Sequence, residues 1–413
     1  MGSLRSRWQV ESQRVSDALR RRAHLDAGPF RPARGHTLDD AWIPNGLAPY
    51  GFERTQRVST ASVNDIPISC GCDSFRRVAQ RHRMVIDDST GGLSIEERAR
   101  TLVRVAACGT PVVAGGDLSA LVPPALMLGS AEEMSARVGD PEQMAAIAYQ
   151  QWSAVFDHFS PAESAVSITI ASHRPRFIDF WLPQITQQVH RPVQVVVALH
   201  DTGFTEAERD RIRGVLGESG IDVVIVDVPS SKSLGATLDL ARRRADGNVI
   251  LKWDDDDLYG SNHVVDLLRA RRYSGAPLVG KACDFVYVGS RDVTVRRHQA
   301  DRETFSPTLS GNTLMIDREA LDAVGGWSDV SLGEDASLIA RVRRAGGNTY
   351  RTAGFGMIAV RHADPSRHTW NLDIESLVDG AIRTWSGLAP HAALVDVPTN
   401  VSDAVRRSAV GES

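Results

Sequence analysis

The sequence predicts an α/β fold built on a mostly parallel, doubly wound sheet, and three observations carry that expectation. Apolar, β-branched runs recur at Val166–Ala171, Val193–Leu199, Val223–Val228 and Val249–Trp253, so their starts lie 26 to 30 residues apart. That is the spacing of consecutive strand–helix–strand units in a parallel sheet. The stretches between them, such as FTEAERDRIRGVLGESG and SLGATLDLARRRADG, carry apolar residues at helical period and end at glycine. Runs that are apolar at every position also imply strands covered on both faces. A sheet of this kind binds ligands beyond the carboxyl ends of its strands. Ser172-His173-Arg174, His200-Asp201 and the residues after Trp253 are therefore the places where chemistry is expected.

Composition narrows the function classes. The 413 residues are 42% hydrophobic and 24% charged, ordinary for a globular protein and sufficient for two to three domains. Lys and Arg number 47 against 51 Asp and Glu, a net charge of −4 that offers no general basic field for nucleic acid. Lys232, Lys252 and Lys281 are the only lysines. No apolar run approaches the ~20 residues of a membrane-spanning helix. The start MGSLRSRWQVESQ has no apolar secretory core, so the cytoplasm is expected; peripheral membrane contact and oligomeric state stay open. Four cysteines (Cys70, Cys72, Cys108, Cys283) make no disulfide framework, and all four read as reduced. Cys70-x-Cys72 lacks the second Cys or His pair that a zinc site requires.

Four segments are expected: a region of unclear structure over 1–75, a partial α/β module over 76–160, a main domain over 164–371 and a C-terminal helix with a polar tail over 372–413. In the second, Met84-Val85-Ile86 is a short apolar run. Ser94 followed by Glu97 is a capping box that starts a helix ending at Gly109. Pro111–Ala114 reads as a buried strand, and Ser130 with Glu133 and then Asp140-Pro141 open two further helices. Ser160-Pro161-Ala162-Glu163-Ser164 punctuates the boundary. The tail reads as a helix that packs on the core or covers the acceptor side.

The chemistry concentrates after the fourth run, where Asp254, Asp255, Asp256 and Asp257 stand in a row. Adjacent carboxylates repel one another and cannot be buried without cations. Placed at the ligand edge of the sheet, hard oxygen donors suit Mg²⁺ or Mn²⁺ rather than zinc. An EF-hand loop starting at Asp254 would need Gly and Glu where Tyr259 and Val265 stand, so that reading fails. Leu258 stands where a haloacid-dehalogenase-type phosphatase normally carries Thr or Val, which weakens that one. A second acidic signal, Gly333-Glu334-Asp335, follows the Gly325-Gly326-Trp327 turn and opens a helix-like stretch.

Taken together these pieces resemble a family 2, GT-A-type glycosyltransferase domain over Val166 to about Asn371. The matching residues are VSITIASHRP, SLGATLDLARRRADGNVILKWDDDDLYG, GNTLMIDREALDAVGGWSD, GED and RHADPSRHTW, in that order. The resemblance implies a Rossmann-like, mostly parallel nucleotide-diphospho-sugar transferase sheet, a metal-dependent hexosyltransferase-like activity with Mn²⁺ or Mg²⁺, a nucleotide-diphosphate sugar donor and a saccharide or other hydroxyl acceptor. It puts Asp254 and Glu334 on the donor side, Asp256 with His368 on the metal (His362 being the competitor) and Asp335 as general base. Ser172, Arg174 and Asp201 would line the nucleoside pocket, with Gly235 at the donor, and Trp327 would stack on a sugar face. The sequence departs from the family's pattern at His200-Asp201-Thr202, where Asp-Asp-Gly is usual, and at Ala236, where Asn is usual. A single base on the face opposite the leaving group, without a nucleophilic carboxylate, implies inversion.

Residues 90–160 in turn resemble the C-terminal half of GT-B glycosyltransferases related to spore-maturation proteins, through ERARTLVRVAACGTPVVAG and PEQMAAIAYQQWSAVFDHFS. About 90 preceding residues cannot hold the other half of that fold, so the segment is expected to be a remnant or a docking element. The competing readings for the whole chain are a nucleotidyltransferase of similar fold and an inactive docking scaffold.

Overall fold

The computed structural model describes residues 59–66, 82–88, 91–127, 129–138, 140–159, 164–200, 203–297, 302–363 and 373–411. The segment 1–58, Cys70 and Cys72, the 160–163 boundary, Asp201 and His368 lie outside the described residues. The rest falls into two compact units, one of them running from Ser164 onward except for Arg272–Gly275, which is counted with the other. Among the described residues no helix is long and apolar enough to cross a membrane.

The first unit is a small parallel sheet, β1 (Ser59–Ser62), β2 (His82–Ile86) and β3 (Val112–Val113), in that order. Helix α1 (Ile95–Ala107) begins at the expected capping box. Glu97 N donates to Ser94 Oγ at 3.2 Å, and Ser94 N donates to Glu97 Oε2 at 2.8 Å. The reciprocal pair satisfies two amide donors that the first turn would otherwise leave open. Ser130 and Glu133 repeat the device ahead of α2 (Ala131–Val138), and Pro141 opens α3 (Pro141–Phe159). Met84, Val113, Met134, Met144 and Ile147 form one buried cluster. Gln151 of α3 acts as a surrogate strand neighbour for β3, its amide bonding both Val112 N and Val112 O at 2.8 Å.

The second unit carries the four runs as β4 (Val166–Ser172), β5 (Gln194–His200), β6 (Asp222–Val228) and β7 (Val249–Trp253). They are mutually parallel in the order β7-β4-β5-β6. The intervening helices are α4 (Ile178–Thr186), α5 (Glu206–Glu218) and α6 (Leu234–Arg242). Beyond them lie β8 (Leu258–Tyr259), α7 (His263–Ser274), β9 (Leu278–Lys281), β10 (Phe285–Val288), β11 (Val293–Arg296) and β12 (Thr304–Phe305). Then come β13 (Met315–Asp317), α8 (Arg318–Ala323), α9 (Glu334–Arg344), β14 (Thr349–Thr352), β15 (Met357–Arg361), α10 (Ile374–Asp379), β16 (Arg383–Ser386) and α11 (Thr399–Val410).

The main sheet runs β12-β14-β9-β13-β7-β4-β5-β6, and β13 is antiparallel to both its neighbours. A second sheet, β16-β11-β10-β15-β8, is mostly antiparallel. One core between α6, α9 and the main sheet holds Val196, Leu238, Ile250, Ile316, Leu338 and Trp327. The C-terminal helix α11 buries Val401, Val405 and Ala409, and Ala363 N donates to Ala409 O at 2.7 Å.

Candidate active site

The site grows from the carboxyl end of β7. Every residue of that strand is buried, Lys252 included. A buried ammonium needs anionic partners. It finds Asp254 Oδ1 at 2.6 Å and Glu334 Oε1 at 3.8 Å. Burial alone would lower the Lys252 pKa, but the two carboxylates outweigh it and hold the group above its ordinary range. One side chain thus ties the acidic row to the Gly-Glu-Asp motif, although 80 residues of sequence separate Asp254 from Glu334.

The four aspartates alternate. Asp255 and Asp257 are buried, while Asp254 and Asp256 are partly open. Ser172 Oγ, at the end of β4, donates to Asp255 Oδ2 at 2.5 Å, and Arg174 pairs with Asp255 through Nη2. Arg174 Nη1 also meets Asp256 Oδ2 at 2.8 Å, and its guanidinium lies 4.5 Å from the centre of the Phe177 ring. Asp257 accepts from Val360 N at 2.7 Å and from Asn312 Nδ2 at 2.5 Å. Burial pushes the Asp257 carboxyl well above the usual range, Asp256 and Asp254 push it further, and Asn312 and Val360 oppose the rise. Burial likewise raises Asp255 against the pull of Arg174. The two inward carboxylates are therefore committed to the fold, and Asp254 and Asp256 are the pair that faces outward.

Glu334 and Asp335 open α9. Glu334 is buried, and burial raises its carboxyl against the opposing effect of Lys252. Asp335 is partly exposed, and its Oδ1 accepts the Ala336 amide at 2.6 Å. Its Oδ2 reaches so close to Gly311 that a Cβ there would lie 1.8 Å away. Asp335 also lines a hollow of about 160 Å³ with Thr308, Leu309, Ile339, Ala340 and Arg343.

Three expected roles are redirected by these contacts. Ser172 does not present its hydroxyl to a nucleoside pocket, because that hydroxyl donates to Asp255 and accepts from Arg174 N at 3.3 Å. Gly235 spends its amide on Val330 O at 3.0 Å and sits where a Cβ would lie 1.8 Å from Ser328 O, so it lets α6 meet the 328–330 loop closely. Trp327 is 5% exposed and belongs to the core, leaving no ring face for a sugar. The largest apolar side chain of its turn is better buried than displayed. Asp201 and His368 lie outside the described residues.

For a divalent ion, the described residues offer no group of three or more His, Cys, Asp and Glu side chains. They do bring His362 Nε2 to 3.9 Å from Asp256 Oδ2, with the ring stacked on Phe177 and Nδ1 near Ser408 O of α11 at 3.3 Å. Mg²⁺ and Mn²⁺ sites that draw their remaining oxygens from substrate phosphates and water need only one or two protein donors. The oxygen-plus-imidazole donor set fits that chemistry. Lys252, Asn312 and Gly311 are the functional neighbours that sequence reasoning passed over. A lysine inside an otherwise apolar strand was the available signal for the first; the other two open the GNTLMIDREALDAVGGWSD segment, but no role was given to them.

No protein-family model and no curated protein sequence matches the chain. Among solved structures it is similar to the mannosyltransferase PcManGT from Pyrobaculum calidifontis in complex with GDP-Man and Mn²⁺, at 17% identity over 50% of this chain and 59% of that one, with a TM-score of 0.38. It is also similar to S. aureus TarS 1–349, at 13% identity over 47% and 60% of the two chains and a TM-score of 0.38. The same protein in complex with UDP-GlcNAc matches at 12% identity over 52% and 64%, again with a TM-score of 0.38. The chain spans less than two thirds of the length of these proteins.

Proposed function

We propose that the chain is a metal-dependent, inverting glycosyltransferase of GT-A type that moves a sugar from a nucleotide-diphosphate donor to an acceptor hydroxyl, in the cytoplasm, for surface polysaccharide or glycoconjugate synthesis. The observation that carries this reading is the Lys252 bridge, which sets Asp254 beside Glu334, the residue before Asp335, at the ligand edge of a parallel sheet. In this reading the 76–160 segment is a GT-B-like remnant or docking element.

Asp256 would hold the ion with His368, or with the competitor His362, whose Nε2 lies 3.9 Å from Asp256 Oδ2; when bound it would act as Lewis acid toward the diphosphate, a contribution of several kcal/mol. The chain's own groups account for the rest. Asp335 takes the proton of the acceptor hydroxyl as its oxygen bonds to the anomeric carbon, and the electron pair of the breaking bond leaves with the diphosphate. Attack opposite the leaving group inverts that carbon. Arg174, already charged against Asp255 and Asp256, adds positive potential where the diphosphate would lie. Lys252 holds Asp254 in place through the 2.6 Å ion pair.

Calorimetry with UDP and GDP, with and without Mn²⁺, tests the reading. Saturable, Mn²⁺-dependent binding of one nucleotide is expected, lost in Asp256→Ala. Asp335→Asn should bind that nucleotide unchanged while turnover of its sugar conjugate falls about 10²–10⁴-fold, the usual range for a general base. An Asp335→Asn protein of full activity would favour a nucleotidyltransferase instead.

A further inference from the structure

The hollow beside Asp335 shares no other lining residue with the groups assigned to the donor and metal. Ser172, Arg174, Asp254, Asp256 and Glu334 take no part in its wall, which runs along α9 from Asp335 through Ile339 and Ala340 to Arg343, facing Thr308 and Leu309. Residues 335, 339 and 343 are four apart and so share one helix face. At 1.5 Å of rise per residue, Asp335 and Arg343 are separated by about 12 Å along the axis. The middle of the hollow is apolar and its two ends are charged with opposite sign.

The facing wall is held by Arg351, itself buried, which donates from Nη1 to Thr308 Oγ1 at 2.8 Å and to Thr308 O at 3.2 Å. Arg343 is exposed, and no described carboxylate forms an ion pair with it. Placement near a helix C-terminus would satisfy the dipole wherever the side chain pointed. Arg344 does that one residue later without lining the hollow, whereas Arg343 lines it.

We infer that this hollow is the acceptor subsite and that Arg343 selects an anionic acceptor: a hydroxyl compound whose phosphate or carboxylate group is held at Arg343 while its hydroxyl reaches Asp335. The inference rests on the reading of Asp335 as the base. An uncharged sugar would leave the guanidinium end unused, while an anion there gains a charge-assisted pair that only this end provides.

Titration of the full chain by ligand-observed NMR with glucose 6-phosphate, glucuronate and neutral glucose tests it. At least one anion should bind about tenfold tighter than glucose and lose about tenfold in Arg343→Ala, the size of one charge-assisted hydrogen bond. Arg343→Lys should retain most of the affinity and Arg343→Glu should abolish it, with the thermal midpoint unchanged because the side chain is exposed. Whichever anion responds names the group. Equal affinities in the wild type and Arg343→Ala, or glucose binding as tightly as both anions, would overturn the assignment. Titrating the same proteins with UDP and GDP in Mn²⁺ separates the two readings: lost nucleotide binding with a persistent Arg343-dependent anion response would fail the transfer reaction and leave the anion site standing.

Discussion

Gly311 shows how one missing side chain can place a catalytic candidate. A Cβ at that position would lie 1.8 Å from Asp335 Oδ2, so only glycine lets the carboxylate settle against the 310–312 turn. Asp335 can rotate away from an added methyl, so Gly311→Ala should cost little stability. It should still misplace the base, and displacements of about 1 Å are worth up to ~10²-fold in rate. The expected outcome is a turnover loss approaching that size with nucleotide affinity intact; unchanged turnover would detach Asp335 from the chemistry. Lys252 is the opposite case, a residue whose loss should be felt in folding first. Lys252→Met leaves Asp254 and Glu334 facing each other with no cation between them, and breaking a buried pair from one side costs about 3–5 kcal/mol. Urea denaturation should show a lower midpoint and a loss of unfolding free energy of that order.

At the level of elements, α6 meets the 328–330 loop through Gly235, and the atom in the way of a side chain there is a backbone carbonyl, Ser328 O. Unlike Asp335, a carbonyl cannot rotate aside, so Gly235→Ala should destabilise by about 1–3 kcal/mol, the usual cost of overpacking. A thermal midpoint equal to wild type would show that the loop shifts freely. The same contrast explains which elements could be read in advance. β7 was expected at Val249–Trp253 and stands there, because a parallel strand buried on both faces is a continuous apolar run. The capping boxes at Ser94 and Ser130 were readable because both partners lie within one turn of sequence. β13 and the sheet β16-β11-β10-β15-β8 left no such trace. Their strands are two to five residues long, and partners such as β11 and β16 lie almost ninety residues apart, so the pairing is set by tertiary contact rather than local pattern. The site divides the same way. The acidic row and Glu334-Asp335 were visible as local motifs. The inward role of Ser172 and the burial of Trp327 depend on neighbours from distant segments and were not.

For the molecule as a whole, stability against pH is governed by groups that burial pushes in opposite directions. His263 is fully buried among aromatic rings, with Tyr259 at 4.6 Å and Trp253 at 5.5 Å between centroids. Neither ring nitrogen has a hydrogen-bond partner among the described residues. Burial, reinforced by the Lys281 ammonium, holds its pKa well below the usual histidine value of 6.5. The folded state therefore keeps the ring neutral while the unfolded chain takes up a proton near pH ~6.5, so the unfolded state binds more protons and stability falls as pH drops. The buried Asp257 carboxyl acts with the other sign, since its raised pKa makes protonation favour the fold in acid. A wild-type pH curve alone would mix the two. His263→Phe removes only the first, and subtracting its curve from the wild-type curve cancels the carboxylates. The difference should be flat above pH ~7 and then grow against the wild type by up to about 1.4 kcal/mol per pH unit, reaching about 2 kcal/mol by pH 5. Urea denaturation of both proteins at pH 7, 6 and 5 measures it directly. Parallel curves would mean that water or a polar partner reaches the imidazole and lets it charge in place, and the aromatic enclosure of His263 would then have to be open in solution.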